Sequence, residues 1–322
     1  MDAIAKSVRM GIAAATVSGL LAGGSAAASL PPADAAAAGF TQNTLSAFKP
    51  GSIDVDDTKK SGFSWYFYHF YGSQPRRQNI VLNSDGSVTF NGDTTGPNGQ
   101  LATAAPAKNG AKFVGVAFGG GAYIEAAIKF DPNAARSKIS NGWPSFWAMS
   151  LEHLATGAAQ WVGKPPGYEQ FIEADFFEYD IDGPNLGLNY YGANLHDWYG
   201  VYNQTCPGHP FCDSWRDYSD VKTAVSPTTD FTQYHTYGFL WLPASDSKAG
   251  QVQFYFDGSR VGKTITWAKF AHQMDIPDGQ PWKFGALDKQ HLVLILGTGL
   301  GKPMTVGSLN VWQSSNDQNL RN

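Results

Sequence analysis

Short runs of β-branched and aromatic residues alternate with Gly, Pro, Asn and Asp along most of the chain. Within several runs apolar and polar positions alternate in steps of two, the period of a strand with one buried face. Ser64-Trp65-Tyr66-Phe67-Tyr68-His69-Phe70 is one such run. Residues 79–82 and 87–90 flank Asn83-Ser84-Asp85-Gly86, which predicts a hairpin with Asp-Gly in its turn. Residues 252–256 and 260–265 flank Asp257-Gly258 in the same way. Residues 122–130 alternate and stop at Asp131-Pro132, and residues 291–296 form an apolar run long enough for a buried strand. Gly119-Gly120-Gly121 precedes a strand and predicts a turn or a close backbone approach. Helical periodicity is weak, with residues 149–159 the best short candidate. The pattern predicts an all-β fold of two packed antiparallel sheets.

No charge run, repeat or linker divides the body, so residues 46–322 read as one domain. Residues 1–28 read as a secretory signal: Lys6 and Arg9, then an uncharged apolar stretch, then Ala26-Ala27-Ala28 as the cleavage site. Residues 29–45 read as a flexible Ala/Pro lead-in. Composition narrows the class. Charged residues are only 16% and aromatic residues 14% of 322, which argues against disorder, coiled coils and helical repeats. The net charge of -4 and the lack of a Lys/Arg run give no track for nucleic acid. No stretch is long and apolar enough to span a membrane after signal removal, and nothing in the pattern demands more than a monomer. Export places Cys206 and Cys212, in Cys-Pro-Gly-His-Pro-Phe-Cys, where a local disulfide forms readily. A metal site using both thiols and His209 would need a fourth ligand.

Candidate chemistry concentrates in Phe171-Ile172-Glu173-Ala174-Asp175-Phe176-Phe177-Glu178. In a regular strand Glu173 and Asp175 share a face, and Glu178, an odd number of residues on, takes the other. One β-bulge at Phe176-Phe177 would return Glu178 to the face of Glu173 and Asp175. Three carboxylates on one face resist simultaneous ionisation, so at least one should keep its proton near neutral pH. That condition suits acid–base work on a glycosidic bond. A cation site and a solvated acidic face are the alternatives, the latter disfavoured by the apolar and aromatic flanks.

This strand resembles the bulged E-x-D-x-x-E signature of glycoside hydrolase family 16. Gly121-Ala122-Tyr123-Ile124-Glu125-Ala126-Ala127-Ile128-Lys129 is similar to its G-x-F-E-A-R-I-K strand, and Gly142-Trp143-Pro144-Ser145-Phe146-Trp147 to its W-P-A-F-W segment. His235-Thr236-Tyr237 with Trp241, Phe254-Tyr255-Phe256-Asp257-Gly258, and the run from Met304 to Trp312 resemble further strands in the same order. The resemblance covers most of residues 60–313. It implies a concanavalin-like β-jelly-roll sandwich with a concave substrate cleft. It also implies Glu173 as nucleophile, Glu178 as general acid/base and Asp175 as the group holding both. The implied reaction is retaining hydrolysis of internal β-glycosidic bonds of a polysaccharide, with β-1,3- or mixed-linkage glucan the expected substrate, without a cofactor. The pattern departs at Ala127, where relatives carry Arg, and at Gly307 and Ser308, where many carry the Asp-Tyr of a structural calcium site; no metal is expected.

Aromatic rings present flat surfaces to the C–H faces of sugars. Trp143 and Trp147, four apart, are expected on one side of a strand as substrate-binding residues, and His196 and Trp198 alternate onto one face after the carboxylate strand. Core packing is the competing role for each. His235 fits a hydrogen-bonded structural histidine and is not nominated for catalysis. No G-x-S-x-G elbow or phosphate loop occurs. An endo-galactanase, a transglycosylase and a non-catalytic lectin-like protein remain the alternatives to a β-glucanase.

Overall fold

Alternation of apolar side chains builds three antiparallel sheets in the computed structural model, which describes residues 30–46, 48–49, 51–68, 77–92, 99–108, 112–136, 142–153, 168–180, 188–201, 214–269, 284–299 and 301–322. The largest sheet runs, in order, β14 (Ser259–Trp267), β13 (Gly250–Phe256), β12 (His235–Leu242), β7 (Ala122–Phe130), β16 (Met304–Gln313), β3 (Val88–Phe90) and β2 (Ile80–Leu82), with β1 (Gln42–Ser46) also paired to β16. The second runs β11 (Ser214–Ala224), β10 (Tyr190–Val201), β9 (Tyr168–Glu178), β8 (Ser145–Ser150), β15 (Leu292–Thr298) and β4 (Gly99–Ala102). A small third sheet joins β17 (Leu320–Arg321), β6 (Val114–Ala117) and β5 (Ala104–Ala105). Helix among the described residues is confined to short pieces, including α1 (Ala33–Ala37), α2 (Pro132–Ala135) and the 3-10 turn Gly285–Lys289.

The two large sheets bury their facing sides in one core. Ile124, Ala126 and Ile128 of β7, Phe239 and Trp241 of β12, and Val306, Leu309 and Val311 of β16 come from one sheet. Phe146 and Ala148 of β8, Ile172, Ala174, Phe176 and Phe177 of β9, and Leu292, Leu294 and Leu296 of β15 come from the other. Each such side chain contributes ~1.5–3 kcal/mol when fully removed from water. The outer side of the six-stranded sheet carries a second apolar cluster, with Trp147, Met149, Phe171, Val293 and Ile295. Ala104 and Ala117 of the small sheet join that cluster.

Both predicted hairpins form, with Gly86 at φ 85° in one turn and Asp257 and Gly258 at φ 47° and 72° in the other. Several expectations change. The sandwich carries a third sheet beyond the two expected. Residues 64–70 do not make a strand: Trp65 and Tyr66 hold only single bridges to Ile53 and Ala102, and residues 69–70 lie outside the described residues. Of the helix expected over 149–159, residues 149–150 belong to β8, where Met149 fills the outer apolar cluster at strand spacing, residues 151–153 are helical, and residues 154–159 lie outside the described residues. Residues 30–45, within the span expected as a flexible lead-in, are built into the fold. Ala35 and Phe40 bury against Tyr123, Leu240, Tyr255 and Trp312, Asp34 accepts from Tyr255 Oη at 2.6 Å, and β1 begins at Gln42. The domain therefore begins before residue 46. The departure at Gly307 has a steric reason, since a Cβ there would lie 2.9 Å from the Tyr234 ring. The signal segment 1–28 and both cysteines, Cys206 and Cys212, lie outside the described residues.

The triple glycine is a close approach. Gly121 has φ 93°, and a Cβ on it would meet Pro243 Cδ at 2.6 Å and Trp241 O at 3.0 Å. Gly86, at a similar φ of 85°, has nothing within 4 Å. Gly121→Ala is expected to cost about 2–4 kcal/mol, strain plus overpacking, and Gly86→Ala only about 1–2 kcal/mol. Urea unfolding of the two variants checks this; equal losses would show that the approach at Gly121 is not tight.

Candidate functional site

β9 lies between β8 and β10, and both ladders slip by one residue at the same place. On the β8 side Ser145 pairs with Glu178 and Phe146 with Phe177, but Trp147 pairs with Asp175. On the β10 side Gly192 pairs with Glu178 and Asn194 with Asp175. The extra residue sits at Phe176-Phe177, and both rings point into the core. Phe176 packs on Phe146 and Phe239 at 4.7 Å, and Phe177 on Tyr237 at 4.2 Å and Phe130 at 5.4 Å. The bulge thus spends two successive residues on the inner face.

Its consequence is on the outer face. Directly opposed residues of paired strands share a side of the sheet. His196 opposes Glu173 and Asn194 opposes Asp175, so these four share the outer side. Glu178 Oε2 accepts from Asn194 Nδ2 at 3.1 Å, which brings Glu178 to that same side. Asp175 Oδ2 lies 2.9 Å from His196 Nε2, and both are buried. Each glutamate also has its own indole. Trp198 Nε1 donates to Glu173 Oε2 at 2.6 Å, and Trp143 Nε1 donates to Glu178 Oε1 at 2.9 Å.

The seven expected site residues outside the cysteine loop therefore divide by place. Glu173, Asp175, Glu178, His196 and Trp198 come together on one face. Trp143 lies in the approach to β8, not on the strand, and reaches Glu178 through its N–H. Trp147 is on β8 opposite Asp175, but it is buried among Met149, Leu151 and Phe171. Asn194 was not singled out from the sequence; its signal is the alternation Asn194-His196-Trp198, which puts all three on one side of β10. Trp198 lies nearly parallel to Phe171 at 6.2 Å, and His153 stacks on Phe171 at 3.8 Å.

Burial, and then the neighbouring Asp175 charge, push Glu173 up from 4.5 to about 8; His196 and the Trp198 N–H oppose this. Glu178 is also raised, by burial first, against the donors Trp143 and Asn194 and the His196 ring. The arrangement can hold a proton on one carboxyl through neutral pH while donors stabilise charge on the other. Glu178 carries two donors, Trp143 and Asn194, and Glu173 one, Trp198. Among the described residues no cluster of three His, Cys, Asp or Glu is arranged to hold a metal ion.

No family model matches the chain, and no curated protein is similar to it. Among solved structures, an endo-1,3-beta-glucanase from Streptomyces sioyaensis aligns at 16% identity over 92% of this chain and 100% of that one, with a TM-score of 0.48. The VIP36 exoplasmic/lumenal domain, in its Ca2+/Man3GlcNAc-bound form, aligns at 9% identity over 78% of this chain and 84% of that one, with a TM-score of 0.35. The alginate lyase AlyC3 aligns at 10% over 76% and 79%, with a TM-score of 0.34. Likenesses this loose carry no argument about the site.

Two outcomes follow from the geometry. A carboxyl whose value rises on folding binds more protons folded than unfolded, so its stabilising contribution is full below about 4.5 and fades as pH climbs to about 8. Wild type should therefore lose on the order of 1–3 kcal/mol more than Glu173→Gln between pH 5 and 8, measured by urea unfolding, after allowance for partial exposure. Parallel pH dependences would remove Glu173 as the raised group. Trp198→Phe keeps the ring and deletes the donor. The Glu173 carboxyl-carbon titration by NMR should then move to higher pH; an unchanged midpoint would show that the indole contact is absent in solution.

Proposed function

We propose that this protein is an exported retaining endo-β-glycanase of the glycoside hydrolase family 16 type. In this reading the outer face of the six-stranded sheet is the floor of a concave cleft in a jelly-roll sandwich. The observation that carries it is the pair of glutamates on one face of β9, each gripped by an indole N–H, with the Asp175–His196 pair between them. A solvated acidic patch has no use for such donors, and burying three carboxyls together costs stability unless the site is used.

The chemistry then runs in two steps. Glu173, ionised, attacks the anomeric carbon while Glu178 gives its proton to the leaving oxygen, so the C–O bond breaks as the glycosyl–enzyme ester forms. Glu178, now ionised, takes a proton from water, whose oxygen attacks the anomeric carbon and releases Glu173. The first step needs a single proton on the pair, located on Glu178, and the second needs Glu178 ionised with Glu173 held in the ester. The Trp198 donor supports the Glu173 anion that attacks. Asp175, bonded to His196, keeps the local charge balance. The acidic face repels uronate and sulfate groups, which supports a neutral polymer, β-1,3- or mixed-linkage glucan, with galactan next.

A second reading is a lectin-like protein that binds glycans without turnover. It is favoured by one observation: Glu173, the group that must attack, is pushed up to about 8 and so holds a proton at neutral pH. Reducing-end release from a panel of neutral β-glucans and galactans separates the two. Wild type is expected to release ends, and Glu173→Gln to lose at least about 10³-fold in kcat. Two equally inert proteins that both retain polysaccharide affinity would overturn hydrolysis and leave the binder. Products longer than the starting chains, at high acceptor concentration, would identify transglycosylation.

A further inference from the structure

The strand that carries the glutamates loses its neighbour just where it needs one. β8 pairs with β9 as far as Met149 opposite Glu173. Beyond that it turns off, and Leu151 N donates to His291 O at 2.8 Å instead. Among the described residues no strand replaces it beside residues 168–172. Gln170, Phe171 and Ile172 are buried there, and buried N–H and C=O groups left without partners cost about 1–3 kcal/mol each.

Gln290 fills the gap with its side chain. Its Oε1 accepts from Ile172 N at 3.0 Å, and its Nε2 donates to Gln170 O at 2.7 Å. One carboxamide thus presents an acceptor and a donor to β9 as a neighbouring strand would, one residue before Glu173. Gln290 is itself buried and fixed, because its N–H donates to Leu287 O of the turn Gly285–Lys289. Gln170 continues the network: its Nε2 donates to both oxygens of Asp197 at 3.1 and 3.2 Å. Asp197 lies between His196 and Trp198, the residues that hold Asp175 and Glu173. The amide therefore braces the back of both strands whose outer faces make the site.

We propose that Gln290 is a positioning residue for Glu173, a side-chain substitute for the missing strand that sets where the Glu173 carboxylate meets the Trp198 indole. The consequence for turnover rests on the hydrolase reading above; the effect on Glu173 geometry does not. Misplacement of a reacting group by about 1 Å costs on the order of 10²-fold in rate. Binding of the remaining sugar units should change little.

The test uses the full chain with Gln290→Leu and Gln290→Glu. A protonated glutamic acid mimics the amide, since its O–H donates to Gln170 O while its carbonyl accepts from Ile172 N; ionised, it loses the donor and repels Gln170 O. The other titratable and charged groups around the position are the same in both variants: Asp197 through Gln170, Asp288 and Lys289 in the preceding turn, and the His291–Glu152 pair after it. Three readouts are taken from pH 5 to 8: Ile172 amide exchange, the Trp198 indole N–H resonance, and kcat against KM on a neutral β-glucan. Gln290→Leu is expected to speed Ile172 exchange at least ten-fold, shift the Trp198 indole resonance, and lower kcat ten- to hundred-fold with KM within three-fold. Gln290→Glu should behave as wild type at pH 5 and as the Leu variant at pH 8, which keeps the test decisive if the Leu variant does not fold. Expected NMR changes in a protein with no hydrolytic activity would support the brace and overturn the hydrolase reading. An unmoved Trp198 resonance in a folded variant, or kcat within two-fold of an active wild type, would overturn the proposal.

Discussion

One inserted residue in β9 governs the site. Phe176 and Phe177 both enter the core, where Phe239 and Tyr237 of the facing sheet receive them. Two large aromatic anchors on consecutive residues cannot be met by a regular strand, which must turn one outward. The core therefore enforces the bulge, and the bulge sends Glu178 to the side of Glu173 and Asp175. Hydrophobic packing on one side of the sheet sets the position of charge on the other, so the geometry of the carboxylate face inherits the rigidity of the interior.

The same face then has to manage what the bulge collects. Burial and like charge raise both glutamates, and the opposing donors come from separate elements: Trp143 from the approach to β8, and Asn194, His196 and Trp198 from β10. Register matters here as much as residue type. A one-residue slip of β10 would turn Asn194, His196 and Trp198 inward together and remove the partners that β10 gives the three carboxyls. Gln170, Asp197 and Gln290 secure that register from behind, using hydrogen bonds in place of the strand that β8 does not supply.

Much of this was legible in the chain itself. Period-two alternation, Asp-Gly turns and the odd spacing of Glu173 and Glu178 foretold the strands 122–130 and 252–256, the hairpins and the place of the slip, because these are local consequences of backbone geometry. Tertiary context hid the rest. Trp143 and Trp147 look equivalent at four-residue spacing, yet one precedes the strand and points an N–H at Glu178 while the other fills an apolar cluster. Residues 29–45 look like an Ala/Pro tether because only the folded sheet provides Tyr123 and Trp312 to cover Phe40. Gln290 carries no motif at all; its role exists only where β8 departs from β9.

The central claim is that Glu173 and Glu178 face one another across a shared site. Carboxyl-carbon NMR titrations of Glu173 in Glu178→Gln, and of Glu178 in Glu173→Gln, test it directly. Groups that interact electrostatically must shift each other's titration reciprocally. When the other carboxyl is neutralised, the midpoint of the group that titrates second must fall, because it otherwise loses its proton beside an existing negative charge. Midpoints indifferent to the partner's charge would put the two glutamates on opposite sides of the strand and contradict it.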